Sequence, residues 1–83
     1  MSKSVDDIRA IVLATLRASL PASIELSDRT NIARDLGLDS VSVMDFVMEI
    51  EDRVDVSVPL DRISEVETIG DLVTTLHDLK SGR

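Results

Sequence analysis

The sequence predicts an all-α fold: a small bundle of three main helices plus one short helix, with a long loop between the first two. Three observations predict it. Apolar residues recur at steps of three and four in three separate stretches. A candidate N-cap residue stands before each stretch. The one segment that alternates like a strand has no partner strand, and an isolated strand is not stable.

The first helix starts after Ser4, with Asp6 and Asp7 in its first turn, where negative charge suits the helix dipole. Val5, Ile8, Val12, Leu16 and Leu20 form its apolar stripe, widened by Ile11 and Leu13, and Pro21 ends it near Leu20. Residues 21–39 keep no steady period. Anchors at Ile24, Leu26, Ile32, Leu36 and Leu38 interrupt a polar run and pin a long loop to the core, and a long loop inside a compact domain is often functional. A short helical turn is expected around Asn31 to Asp35. Gly37 suits a turn conformation just before the next element.

The second helix covers residues 40–53, capped by Asp39 or Ser40. At roughly 100° per residue, Val43, Phe46, Val47, Ile50 and Val54 share one face, assigned to the core. Val54-Asp55-Val56-Ser57-Val58 then reads as an extended connector with its valines inward. Pro59 starts a short helix as its first residue; it runs to about Ser64 or Glu65, with Leu60, Ile63 and Val66 as core contacts. Thr68 and Asp71 resemble a capping box for the last helix. Ile69, Leu72, Val73, Leu76 and Leu79 give its stripe, and Lys80 near its end suits the dipole. The 83 residues make one domain, with 1–3 and 81–83 frayed at the ends.

Composition narrows the function. The formal charge is −7, from 16 acidic against 9 basic residues, so nucleic acid and anionic lipid are poor partners and proteins with basic patches are favoured. There is no cysteine, which excludes disulfides and thiolate metal sites and suits a reducing cytoplasm. No apolar run approaches the roughly 18 residues of a membrane span. Met1 to Asp7 lacks the apolar stretch of a secretory signal. The expectation is a cytoplasmic monomer that does not insert into membranes.

The second helix carries more apolar surface than one core face needs. Val41, Met44 and Met48 lie about 40–100° round from Ser40, away from the core stripe. Asp45, Glu51 and Asp52 flank them, and Glu49 sits further round. Two readings stand. The strip packs under the first helix or the long loop, as a small bundle must cover its apolar area; or it is a docking face, adaptable through methionine and oriented by its acidic fence. Ser40 also has two readings, because a serine after aspartate at a helix start is ordinarily a cap and nothing more.

The surrounding residues bear on that choice. Asp35-Leu36-Gly37-Leu38-Asp39-Ser40-Val41 closely resembles the modification motif of the acyl carrier protein family, written D-x-G-x-D-S-L. The stretch Phe46 to Asp52 resembles the family's second helix, Val54 to Pro59 its exit, and Thr68 to Leu72 the start of its last helix. The match runs in order along nearly the whole chain, whose length fits a free-standing carrier. The resemblance implies that a separate phosphopantetheinyl transferase, using Mg²⁺, transfers 4′-phosphopantetheine from coenzyme A to Ser40, with Asp39 the acidic residue it recognises. Val41 stands where leucine is typical, which predicts altered transferase affinity with modification retained. Val41, Met44, Asp45, Met48, Glu49, Glu51 and Asp52 fall on the helix that family members present to partners. Those partners are acyl-handling synthases, ligases or acyltransferases with basic patches.

The chemistry fits. The chain has no thiol, and the arm supplies one. A helix N-terminus offers free amides and positive dipole for the phosphodiester. The family also shelters acyl chains between its helices, and Val43, Phe46, Val47, Ile50, Ile63 and Leu72 are the expected pocket. Each methylene withdrawn from water contributes about 0.8 kcal/mol.

Other constellations fail. His77, the one histidine, lies beside the last stripe, and nothing in the spacing brings it to Ser40. Asp35, Asp39 and Asp45 miss the calcium-loop pattern, no set of metal ligands is present, and Gly37, Gly70 and Gly82 form no phosphate loop. The chain is therefore not read as an enzyme. The leading reading is a specialised carrier of fatty-acid or lipid biosynthesis. The alternatives are a peptidyl, aminoacyl or polyketide carrier, or an acidic helical interaction module that never receives the arm.

Overall fold

The computed structural model describes residues 4–21 and 23–81. The fraying expected at 1–3 and 81–83 falls outside the described residues except at Ser81, which is ordered as the C-cap of α4 and donates its amide to the His77 carbonyl at 3.0 Å. Among the described residues, four helices occur in order: α1 (Val5–Ser19), α2 (Ser40–Val54), α3 (Leu60–Ile63) and α4 (Ile69–Lys80).

Local chemistry sets the helix starts. Ser4 caps α1, accepting from the Asp7 amide at 3.1 Å while Asp7 returns to the Ser4 amide at 3.2 Å. Thr68 and Asp71 form the same reciprocal box on α4. The Asp71 carboxylate accepts from the amides of Thr68 and Glu67, both at 3.1 Å, and these bonds hold its pKa below the usual carboxylate value. α2 begins at Ser40 with Asp39 as its cap, and it ends one residue later than expected. There Asp55 turns into the left-handed region with φ 63° and donates its amide to the Glu51 carbonyl at 2.8 Å.

α1 packs against both α2 and α4. The core joins Ile8, Val12 and Leu16 of α1, Val47, Ile50 and Val54 of α2, and Ile69, Leu72, Val73 and Leu76 of α4. Ile32, Leu36 and Val58 close it from the connections. Thr15 is buried among them, its hydroxyl donating to the Ile11 carbonyl at 2.8 Å. The valines of the connector do turn inward: Val54 and Val58 are buried and Val56 is half-buried.

The long loop is fastened by main-chain bonds. Asn31 and Thr68 pair as an isolated antiparallel bridge, with Ile32 donating to Glu67 at 2.9 Å and Ile69 to Thr30 at 3.0 Å. Gly70 donates to the Asp28 carbonyl at 2.9 Å, and a Cβ on Gly70 would meet that oxygen at 3.0 Å. Arg9 adds a two-pronged ion pair with Asp28, at 3.0 and 3.1 Å. The turn expected at Asn31–Asp35 is present, with Asp35 donating to the Asn31 carbonyl at 2.9 Å. Gly37 takes φ 67°, the left-handed conformation glycine favours.

The short helix departs from expectation. It covers only Leu60–Ile63, with Pro59 outside it as an extended N-cap. Ser64 and Glu65 continue as a hydrogen-bonded turn. Leu60, expected in the core, is 70% exposed. A single turn buries too little area to dictate where its first side chain points, whereas Ile63 and Val66 do pack on the core.

The faces of α2 yield a direct test. Ile50 is fully buried while Met48, two residues away, is 59% exposed. Ile50→Ala should lose about 2–5 kcal/mol in urea unfolding. Met48→Ala should stay within about 0.5 kcal/mol of the parent.

Candidate functional site

The site is built on the first turn of α2. Asp39 ends the loop in extended conformation, and its Oδ1 accepts from the Ser42 amide at 2.8 Å. That amide bond is the main reason its carboxyl is held below the usual range, helped by the Ser42 hydroxyl. Of the two caps open in the sequence, Asp39 is the one used. Ser40 is therefore released from capping and stands exposed as the first helical residue.

The first-turn amides of α2 and α4 differ. In α4, the amides of Ile69, Gly70 and Asp71 are all engaged, the first two by loop carbonyls and the third by Thr68. In α2, Asp39 engages Ser42 through its carboxylate and Val43 through its carbonyl at 2.9 Å. Among the described residues, nothing accepts from the amides of Ser40 and Val41. An exposed hydroxyl thus sits beside two free N–H groups at the positive end of a helix dipole, an arrangement that accommodates a phosphate ester on that hydroxyl.

The apolar strip lies mostly open. Val41 is 68% exposed and Met48 59%, while Met44 is half-buried. The reading in which all three pack under α1 or the loop is thus not what is found. Asp45, Glu49 and Asp52 are exposed. Glu49 faces Arg53 along the helix at 3.8 Å, an exposed pair of little energetic consequence. Glu51 differs: it is half-buried, and its Oε2 accepts from the Val58 amide at 2.8 Å.

Hollows open along α2, and two of them take in residues expected around an acyl chain. The first, about 170 Å³ and mostly apolar, is lined by Val43, Val47, Ile63 and Leu72, together with Ile32, Ala33 and Val66 and the polar residues Asn31 and Glu67. It brings together four of the six residues expected around an acyl chain. The other two lie elsewhere. Ile50 is fully buried in the core, and Phe46 lines a wider groove with Leu16, Leu20 and Leu38, rimmed by Asp45 and Glu49. The loop side of the first hollow escaped the sequence reading. Ile32 was visible as an anchor and Asn31 as a turn, but their pairing with residues 67 and 68 leaves no local signal. Among the described residues, no group of His, Cys, Asp or Glu is arranged to hold a metal, and no helix is long and apolar enough to cross a membrane.

Comparison with known proteins is consistent along the chain. The family model described as "Phosphopantetheine attachment site" matches residues 6–76. A probable acyl carrier protein of Caulobacter vibrioides is 40% identical over 74 residues, covering 89% of this chain and 85% of that protein. The acyl carrier protein of Rickettsia bellii is 34% identical over 82 residues, covering 98% and 94%. Among solved structures, the thermally stable acyl carrier protein from Enterococcus faecalis superposes with a TM-score of 0.73 at 25% identity, covering 93% of this chain and 99% of that one. A 3-oxo-butyl form of the carrier from the actinorhodin polyketide synthase of Streptomyces coelicolor shares the fold, at a TM-score of 0.67 and 24% identity, covering 99% and 95%.

The cap makes a pH-dependent prediction. The folded pKa of Asp39 lies below its unfolded value of about 3.9, so its contribution is complete above that value and disappears as pH falls through the folded pKa. Asp39→Asn keeps an acceptor oxygen and removes the charge. Urea unfolding should find the parent more stable than this variant near neutral pH, with the gap closing as pH falls below the ordinary aspartate range.

Proposed function

The chain belongs to the acyl carrier protein family, and on that premise we propose that Ser40 bears the family's 4′-phosphopantetheine arm. Proteins of this family are carriers and not catalysts, and membership implies a phosphopantetheinyl transferase and acyl-handling enzymes as partners. The arm supplies a thiol on which an acyl group travels as a thioester. Everything else falls to the chain: presenting the serine, receiving the phosphate, sheltering the cargo and offering an address.

The observation that carries the assignment is the division of labour between Asp39 and Ser40. Asp39 takes the cap, which leaves the Ser40 hydroxyl exposed beside two open amides. The Asp39 charge is directed at the Ser42 amide, so the negative group closest in sequence is already engaged. In our reading the same aspartate is what the transferase recognises. Exposed Val41 and Met48, half-buried Met44, and exposed Asp45, Glu49 and Asp52 form the surface for partners with basic patches. Opposite charge raises the encounter rate, and methionine adapts to more than one partner.

We place the acyl chain in the hollow lined by Val43, Val47, Ile63 and Leu72. At about 170 Å³ it is close to the engineered cavity of about 150 Å³ that admits benzene, so as it stands it holds roughly six carbons. Longer chains need its walls to part. Ile50 belongs to the core, and Phe46 to the groove on the α1 side of α2. We assign the carrier to fatty-acid or lipid biosynthesis, as a specialised member acting in the cytoplasm, in keeping with its bacterial relatives and with the departures of its sequence from the family's commonest pattern.

Intact-protein mass after incubation with coenzyme A, Mg²⁺ and a broad-specificity phosphopantetheinyl transferase tests the attachment. The parent should gain one phosphopantetheine and Ser40→Ala none. No gain by the parent with several transferases would instead mark an acidic helical module that binds partners without the arm.

A further inference from the structure

Glu51 was expected on the partner face, yet its carboxylate is turned toward the chain itself. The acid accepts from the Val58 amide at 2.8 Å across seven residues, at a partly buried site where a charged acceptor strengthens the bond. Its carbonyl accepts from Asp55 at 2.8 Å and from Val56 at 3.1 Å. One residue therefore receives three of the amides in the turn that leaves α2. That turn passes through Asp55 at φ 63°, a conformation L residues adopt only where the surroundings hold them.

The segment beyond this turn has little to hold itself in place. α3 is a single turn with no buried residue, and its cap Pro59 makes no side-chain bond. Apart from the packing of Ile63 and Val66 on the core, its position comes from its two ends. At the far end, Glu67 and Thr68 are fastened to the loop through the Asn31 bridge. At the near end there is Val58, whose side chain is buried and whose amide belongs to Glu51. Between these anchors, Ile63 and Val66 form one wall of the hollow that Val43 and Val47 also line.

We propose that Glu51 is a positioning residue for the acyl cavity: by holding the Val58 amide it fixes where α3 begins, and so where the wall of Ile63 and Val66 stands. This rests on the reading that the hollow takes the acyl chain. It also removes Glu51 from the acids free to meet a partner and leaves that task to Asp45, Glu49 and Asp52. The requirement is for reach more than for charge. A glutamine keeps a carbonyl oxygen at the same distance, whereas an aspartate keeps the charge and falls one methylene short.

Two conservative variants separate the possibilities without endangering the fold. Glu51→Asp should raise amide exchange at Val58 by about tenfold or more, the effect expected from losing one charge-assisted bond. It should also move the methyl resonances of Ile63 and Val66. With a hexanoyl thioester on the arm at Ser40, hydroxylamine, which attacks the thioester carbonyl and expels the arm's thiol, should cleave the Glu51→Asp form several-fold faster than the parent. Glu51→Gln should keep Ile63, Val66 and the cleavage rate close to the parent, with exchange at Val58 raised less than in Glu51→Asp. Glu49→Gln, which alters an acid of the same helix that does not reach the connector, should leave all three readouts at the parent's values. The proposal is overturned if Glu51→Asp leaves Ile63, Val66 and the cleavage rate unchanged, because the buried Val58 side chain would then hold the wall alone. It is equally overturned if Glu51→Gln behaves like Glu51→Asp. Exchange and methyl shifts are read on unloaded protein, so they decide the role of Glu51 even if Ser40 accepts no arm.

Discussion

The seam between the long loop and the start of α4 is the constraint on which the rest of the molecule depends. Three main-chain bonds, from Ile32 to Glu67, Ile69 to Thr30 and Gly70 to Asp28, convert a connection without its own secondary structure into a fixed wall. They also satisfy helix-start amides that would otherwise need water, and burying such groups unpaired costs about 1–3 kcal/mol each. The Arg9–Asp28 pair reinforces the seam from the surface, where an exposed pair contributes little. Gly70 is required because the Asp28 carbonyl approaches to within contact of where a side chain would begin. With α4 closed off in this way, α2 keeps the open first-turn amides that α4 lacks.

α2 then serves in four directions at once. Val47, Ile50 and Val54 point into the core, and Val43 with Val47 lines the hollow. Val41 and Met48 face outward, and the N-terminus presents Ser40. These duties conflict energetically. The hollow opens in part to solvent, so it costs less than the about 4 kcal/mol that an enclosed void of its about 170 Å³ would forfeit at roughly 24 cal/mol per Å³. An acyl chain entering the hollow returns about 0.8 kcal/mol per methylene buried. Cargo and carrier are therefore expected to stabilise each other, and a soft aliphatic lining with no aromatic side chain lets the walls adjust.

Much of this was legible in the sequence because it is local. The helical stripes, the boxes at Ser4 and Thr68, the turn at Asn31–Asp35 and the left-handed Gly37 are all set by residues within a turn or two of one another. The motif ending in Asp39-Ser40 was legible for the same reason. The features that escaped depend on distant pairing. Nothing near Asn31 announces Thr68, so the loop side of the hollow was invisible. A helical wheel places Val43, Phe46, Val47 and Ile50 on one face, but not which neighbour each one meets. Phe46 turns to the α1 groove, and Ile50 is buried in the core without lining the hollow. Leu60 was misjudged because one turn of helix has too little apolar area to fix its own orientation.

The central claim is that one helix joins an attachment point at its start to a cavity along its side. Methyl NMR of the free-thiol and long-acyl forms tests this most directly. Large shifts are expected at Val43, Val47, Ile63 and Leu72, with Val12, Val54 and Leu76 of the deep core nearly still. Unchanged shifts at the first four, or changes confined to Phe46, Leu16 and Leu20, would contradict it.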